Sequence, residues 1–277
     1  INYDANGENG ALLLEPSRAN IFPFSEYFGG WTAAGSSISA NYAASPEGLK
    51  NAYLLTYASG GSRIYDFNNI TGTSLAISVF VKGVSGNGCH LLAYNLTSSS
   101  VQGDMAFSGN TFTKASGSYS AESESVGNGW YRVSIVVSGF TSGDNIGVYL
   151  YTDNNSGTTS GSSLLAYGFQ AEPNASYPSS YIPNHSGTGG VTRAADSCLL
   201  NNSSALPTAY PFTLYSESII KSIGSEILLS FLNTSDNVSY AAIIISSGVP
   251  SLNARSGSSD VSLVSPDSVT AGSVKIV

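Results

Sequence analysis

The sequence predicts an all-β fold of antiparallel β-sandwiches, and three observations carry that prediction. Apolar and polar residues alternate at a period of two in stretch after stretch, the spacing at which successive side chains leave opposite faces of a strand. Turn clusters divide these stretches: Ser85-Gly86-Asn87-Gly88, Gly127-Asn128-Gly129 and Asn154-Asn155-Ser156-Gly157. Amphipathic segments of helical period are missing between them, so the crossovers that a parallel sheet needs are not provided. No helix longer than a turn or two is expected.

In chain order, Leu75–Lys82 is the first clear strand, with Leu75, Ile77, Val79 and Val81 on its inner face. Trp130–Val137 follows, with Tyr131, Val133, Ile135 and Val137 on one face and Trp130, Arg132 and Ser134 on the other. Ile146–Thr152 and Leu164–Ala171 complete the first group. Pro173, Pro178 and Pro183, then Gly187-Thr188-Gly189-Gly190, break strand pairing and read as a connector. A second group opens near Phe212 and includes Glu226–Leu232 and Val238–Ile245. The expected organisation is an extended segment over 1–19, a first sandwich over 20–182, a linker over 183–204 and the start of a second sandwich over 205–277.

Composition narrows the function. The 277 residues are 42% hydrophobic but only 10% charged, against a usual quarter. Ten Lys and Arg against 18 Asp and Glu give a net charge of −8, too few cations for a surface that tracks phosphates, so nucleic acid is not an expected partner. No window approaches 18 consecutive apolar residues, so membrane insertion is not expected either. The apolar content is too high for a disordered chain. Two cysteines, Cys89 and Cys198, are too few for a disulfide scaffold or a Cys-rich zinc site and read as small buried apolar residues. The chain begins at Ile1 with no basic-then-apolar leader and is expected to be a processed piece of something longer.

A series of short motifs carries a family resemblance. Glu15-Pro16-Ser17-Arg18-Ala19-Asn20 leads to Phe24-Ser25-Glu26-Tyr27-Phe28 and Trp31, then Ser45-Pro46-Glu47-Gly48, Ser78-Val79-Phe80-Val81-Lys82 and Gly129-Trp130-Tyr131-Arg132-Val133. Phe169-Gln170-Ala171-Glu172, Ser180-Tyr181-Ile182-Pro183 and Val191-Thr192-Arg193-Ala194-Ala195-Asp196 close it. In this order, over roughly residues 10–200, the series resembles a module of bacteriophage tail-fibre, tail-spike and other virion-appendage proteins. Ala19 stands where that family usually has Thr, and Phe169 where it usually has Trp. Residues 205–277 resemble, more loosely, the opening strands of a concanavalin-A/laminin-G-like sandwich. The resemblance implies a carbohydrate-binding-type jelly roll in an extracellular virion appendage. It implies bacterial surface glycan and other virion proteins as partners, assembly as a homotrimer, and no catalytic residues.

The residues themselves leave alternatives. Glycoside hydrolysis needs two carboxyls at a set separation, and no motif singles out a pair; Glu122 and Glu124 share one strand face and read as solvated edge carboxylates. His90 reads as a half-buried strand histidine, His185 lies in the connector, and no nucleophile-elbow sequence accompanies either. The chain is therefore not expected to be an enzyme.

Sugar binding needs aromatic faces with wet edges. Candidates are Phe80, Trp130 and Arg132 on the outer face, Tyr149 and Tyr151 from neighbouring strands, and Trp31 after a Gly-Gly turn. Trp31 and Trp130 belong to the shared motif series, which favours core packing for both. Tyr57 and Tyr65 are equally arguable as loop tyrosines. The resemblance also suggests a structural Ca2+ where the first segment meets the last strand. Oxygen donors there are Asn20, Ser25, Glu26, Gln170 and Glu172, the hard ligands that Ca2+ takes; turn caps and pairs with Arg18 and Arg193 are the other use for the carboxylates. The neutral, hydroxyl-rich surface suits either adhesion to glycans or a protease-resistant spacer.

Overall fold

A computed structural model of the chain describes residues 13–116, 119–197, 216–220, 225–232, 240–256, 258–269 and 272–276. Two compact units result: one runs from Glu15 to Asp196, and the other combines Ile1–Leu14 with Ser197–Val277.

The first unit is a jelly-roll sandwich. Its strands are β1 (Arg18–Asn20), β2 (Thr32–Ala34), β3 (Ser36–Ala43), β4 (Ala52–Tyr57), β5 (Arg63–Asn69), β6 (Ser74–Ser85) and β7 (Cys89–Asn95). β8 (Ser100–Ser108), β9 (Thr111–Ser116), β10 (Ser120–Gly127), β11 (Trp130–Ser138), β12 (Asn145–Tyr151), β13 (Ser163–Pro173) and β14 (Val191–Arg193) follow. One six-stranded sheet has the order β10-β11-β6-β13-β4-β3, the facing one β2-β5-β12-β7-β8-β9, and β1 pairs with β14. All described pairings in the unit are antiparallel. A single 3-10 turn, Phe28–Gly30, is the helical content among its described residues.

The core lies between the sheets and follows the period-two pattern. Leu75, Ile77, Val79 and Val81 of β6 and Val133, Ile135 and Val137 of β11 meet Ile146, Val148 and Leu150 of β12 and Leu91 of β7, all buried. β13 changes phase within its length. Leu164 and Ala166 point into this core and Leu165 and Tyr167 outward, yet Phe169 and Ala171 point inward again. Gly168, at φ +61°, sits where the β6–β13 register shifts. A bulge at a left-handed glycine inserts one residue and exchanges the two faces. Gln170 and Glu172 are thereby turned to the outer side.

The segment expected to be a connector from Pro183 is, as far as Asp196, part of this unit. Asn184 is fully buried, and its Nδ2 donates to the carbonyls of Asn20 (3.2 Å), Phe22 (3.0 Å) and Gly189 (3.0 Å). Glycines and prolines do break strand pairing here, but side-chain amides satisfy the freed backbone groups and let the segment pack. The extended segment assigned to 1–19 is corrected likewise, since Glu15–Ala19 joins the sandwich through β1.

In the second unit, β15 (Ser216–Ile220) pairs with β20 (Gly272–Ile276). β16 (Ser225–Leu232), β17 (Tyr240–Ser246), β18 (Val249–Ser256) and β19 (Ser259–Val264) form an antiparallel meander. Ser247 and Gly248, both at positive φ, make the two-residue turn between β17 and β18. Ile245 is fully buried with Leu228 and Val269 against it. The described part of this unit thus holds one two-stranded and one four-stranded antiparallel sheet. The expected opening near Phe212 and Cys198 lie outside the described residues.

Candidate functional site

The two sheets of the first unit have unlike outer faces. On the β6 sheet, Trp130 is 3% exposed and packs with Ala52, Leu165 and Tyr167 into a second small core, with Phe80 and Tyr181 against it. Phe80 meets Tyr181 edge-on at 5.9 Å and lies under the Arg132 guanidinium. Arg132 Nη2 donates to Ser78 Oγ (2.9 Å) and to the Ser179 carbonyl (2.6 Å). Burial pulls its pKa down against the opposing pull of Glu172, Glu124, Glu15 and Glu122. Trp31 is 5% exposed in the main core, edge-on to Phe169 at 4.7 Å, with its indole N–H on the Pro23 carbonyl. Phe80 and Arg132 therefore do not form an open platform, because Ser179 and Tyr181 pack against them, while Trp130 and Trp31 lie in the small and the main core. Large aromatics bury wherever a covering segment is available.

Tyr149 and Tyr151 lie on the other sheet, since β12 pairs with β5 and β7. Their neighbours there form an open aromatic surface. Tyr65 stands directly opposite Tyr149 in the ladder, and their rings stack at 5.2 Å and 28°, close to the 4.7–4.9 Å strand spacing. Phe67 extends the row, 5.2 Å from Tyr65 and 6.2 Å from Tyr149, and is 41% exposed. Arg63 Cζ lies 5.6, 5.9 and 5.7 Å from the ring centroids of Tyr65, Tyr149 and Tyr151. Gly147 makes the arrangement possible: a Cβ there would stand 2.8 Å from Tyr149 Cε2 and 2.9 Å from Phe67 Cε1. Burial pushes the Tyr149 and Tyr151 phenols up, more than Arg63 draws them down, so both stay protonated donors.

His90 closes one end of this surface. Its ring stacks on Tyr151 at 5.0 Å and 21°, Nε2 contacts Asp104 Oδ1, and Nδ1 meets Ser156 Oγ at 2.9 Å. The side chain is buried, more fully than the half-buried strand histidine expected, on the outer face of the sheet. The Asp153 carboxylate, fully buried, accepts from the N–H groups of Asn155, Gly157 and Thr159 and fixes the adjoining loop.

The sequence reading missed Arg63 and Phe67 and placed Tyr65 in a loop. The alternation Arg63-Ile64-Tyr65-Asp66-Phe67 is the signal that could have placed all three on one strand face.

The candidate calcium ligands do come together, but as a clasp. Asn20 Nδ2 donates to the carbonyls of Phe169 and Ile182, both at 3.0 Å, and its Oδ1 accepts from Ala171 N (3.1 Å) and Phe22 N (3.3 Å). That uses the full capacity of an amide. Gln170 Oε1 accepts from Ile182 N, Glu172 from Ser179 N and Oγ, and Glu26 from the Tyr181 hydroxyl. Oxygens already accepting N–H and O–H protons are poor cation ligands. Among the described residues, no group of three or more His, Cys, Asp or Glu side chains could share an ion.

Glu15 completes the clasp. Its carboxylate accepts from Ser180 N (2.8 Å) and pairs with Arg193, while its N–H donates to Asp196 Oδ2 (3.0 Å). The Glu15–Asn20, Phe169–Glu172, Ser180–Pro183 and Val191–Asp196 motifs thus meet at one closure, away from the aromatic surface.

Cys89 is buried, and burial pushes its thiol up to about 12, so it is no nucleophile. Two concavities lie elsewhere, one of about 270 Å³ beside Cys89 and Tyr131 and one of about 240 Å³ beside Glu122 and Tyr177. Both fall below the ordinary range for enclosed small-molecule sites. The flat row of rings is the better candidate.

No protein-family model matches the chain, and no curated protein does. Among solved structures, the chain is similar to the CBM22-1–GH10 modules of endo-1,4-β-D-xylanase 10B from Clostridium thermocellum, solved with xylohexaose. The identity is 15% and the TM-score 0.39, over 61% of this chain and 30% of that one.

Proposed function

We propose that the unit from Glu15 to Asp196 is a carbohydrate-binding module whose ligand lies on the Tyr65, Phe67, Tyr149 and Tyr151 surface. The observation that carries this reading is the stacked Tyr65–Tyr149 pair, half-buried on the outer face of its sheet beside the exposed Phe67. Sugar rings present C–H groups to aromatic faces and hydroxyls to the polar edges around them. The surface supplies both, with phenol donors, the Arg63 guanidinium and Asp104 at the rim. Its role is adhesion. In a virion appendage, the setting that the motif series suggests, the ligand would be a host-surface glycan. In a secreted polysaccharide-degrading enzyme the same face would hold the module on its substrate.

The test is binding of the full 277-residue chain to a polysaccharide panel and to host-cell surface glycan, by affinity electrophoresis and calorimetry. Saturable binding that Tyr149→Ala weakens about tenfold, with the melting temperature kept, is the expected result. Binding that a folded Tyr65→Ala/Tyr149→Ala double variant retains in full would overturn the assignment of this face.

A further inference from the structure

The aromatic surface contains one cation, Arg63, that has no carboxylate partner among the described residues. Arg63 belongs to none of the ion pairs found among the described residues, which join His90 to Asp104, His185 to Glu26, Arg193 to Glu15 and Arg255 to Asp260. Arg18 and Arg132 also stand outside these pairs, but of the three only Arg63 lies among the tyrosine rings of this face. Its Nη1 donates to the Gly61 carbonyl at 2.8 Å, and its Nε is buried with no acceptor.

Its position is nonetheless built. Gly61, at φ +74°, keeps clear the space beside the guanidinium, where a Cβ would stand 3.0 Å from Nη1. The rings of Tyr65, Tyr149 and Tyr151 flank the head group. The adjoining strands β2 and β12 carry no acid; Asp153, just past β12, accepts from the N–H groups of its own loop, and Asp104, on β8, is engaged by His90. A guanidinium fixed among rings has lost part of its water, and a partly desolvated charge attracts an oxyanion more strongly than a solvated one does.

We propose that the ligand is an acidic saccharide, a sugar whose ring stacks on the tyrosine row while its carboxylate meets the Arg63 guanidinium. This rests on the saccharide-binding reading of the same face and names the class of sugar. A uronate fits the geometry because its carboxylate projects from the rim of the ring that stacks. The guanidinium offers a planar donor fork that matches a planar carboxylate, which a lysine ammonium would not. Neutral glycans would use the rings but leave Arg63 unmatched.

The experiment pairs acidic polysaccharides with their own carboxyl-reduced forms: polygalacturonate, alginate and hyaluronan, each beside the neutral polymer that reduction produces. Stereochemistry and linkage are kept within a pair, and only the carboxylate is exchanged, for a neutral hydroxymethyl group. The expected result is that the full chain prefers the acidic member of at least one pair by about tenfold, the margin by which a charge-assisted contact exceeds a neutral one. Arg63→Gln should remove the preference without changing the melting temperature, Arg63→Lys should restore it only in part, and added salt should reduce it. Equal binding of both members of every pair, or an Arg63→Gln chain that keeps the preference, overturns the acidic-sugar assignment. Binding of neutral members that Tyr149→Ala abolishes would leave the platform standing while that assignment fails. If Tyr149→Ala changes no binding at all, the platform itself fails.

Discussion

The carboxylate of Glu15 and the guanidinium of Arg193, 178 positions apart in the chain, form the ion pair that holds the two ends of the sandwich together. Around it, β1 and β14 pair in register, Arg18 opposite Arg193 and Asn20 opposite Val191. Ser180 donates to the same carboxylate. Closing both ends of a sandwich at one point turns local strand order into a single cooperative unit.

Removing the cation alone should therefore be costly. Arg193→Ala strands a carboxylate that is only 7% exposed, and a buried charge left without its partner costs about 3 kcal/mol. Urea unfolding should show that loss, and the double variant Glu15→Gln/Arg193→Ala should recover part of it. A loss under about 1 kcal/mol would mean that water reaches the pair and that the closure is held elsewhere.

Acid should loosen the same point. Burial pushes the Glu15 carboxyl up, but the hydrogen bonds from Ser180 and the contact with Arg193 together outweigh it and hold the group below its ordinary 4.5. A carboxyl lowered on folding stabilises the fold above its unfolded value, and that contribution is lost as the pH falls from there through the folded value. Thermal melts from pH 7 to pH 3 should show the gap between the parent chain and Glu15→Gln constant above about pH 5 and closing below 4.5. A gap unchanged to pH 3 would remove Glu15 from the account of acid stability.

Strand faces were legible where they depend on neighbours in sequence. Leu75, Ile77, Val79 and Val81 alternate over eight residues, and all four are buried, because the period-two rule needs only the local chain. Sheet membership is not local. Tyr149 faces Tyr65, not Phe80, because β12 hydrogen-bonds to β5 and β7, a pairing that alternation does not encode. The candidate platform was thus assembled from two opposite faces of the molecule. The oxygens of Asn20, Glu26, Gln170 and Glu172 lie around the clasp, but oxygen type does not say whether a cation or an N–H will claim a lone pair.

The phase change in β13 gives a third test. Gly168 has φ +61°, and a Cβ there would stand 3.0 Å from Phe80 Cδ2 and 3.2 Å from Tyr181 Cζ. Gly168→Ala should cost about 2 kcal/mol, from left-handed backbone strain and from the crowding of the second core. The same change at Gly83, which has open space around its Cβ position and no positive φ, should cost nothing measurable. Equal urea midpoints for the two variants would show that the bulge does not depend on a glycine.

Gly147 separates stability from binding. It lies within β12 without a positive φ, so alanine is compatible with its backbone and should leave stability unchanged or slightly raised, since glycine loses more conformational freedom on folding. The added Cβ would nevertheless come within 2.9 Å of the rings of both Phe67 and Tyr149. Those rings sit at the open surface and can give way outward, which relieves the crowding but breaks the Tyr65–Tyr149 stack that forms the platform. Gly147→Ala should therefore melt within a few degrees of the parent chain while its affinity for the polysaccharide the parent binds falls about tenfold, close to the effect of Tyr149→Ala. If affinity survives, the rings need not be held in this geometry to bind sugar. If stability collapses instead, the rings cannot yield, and the row is a packed surface rather than a docking face.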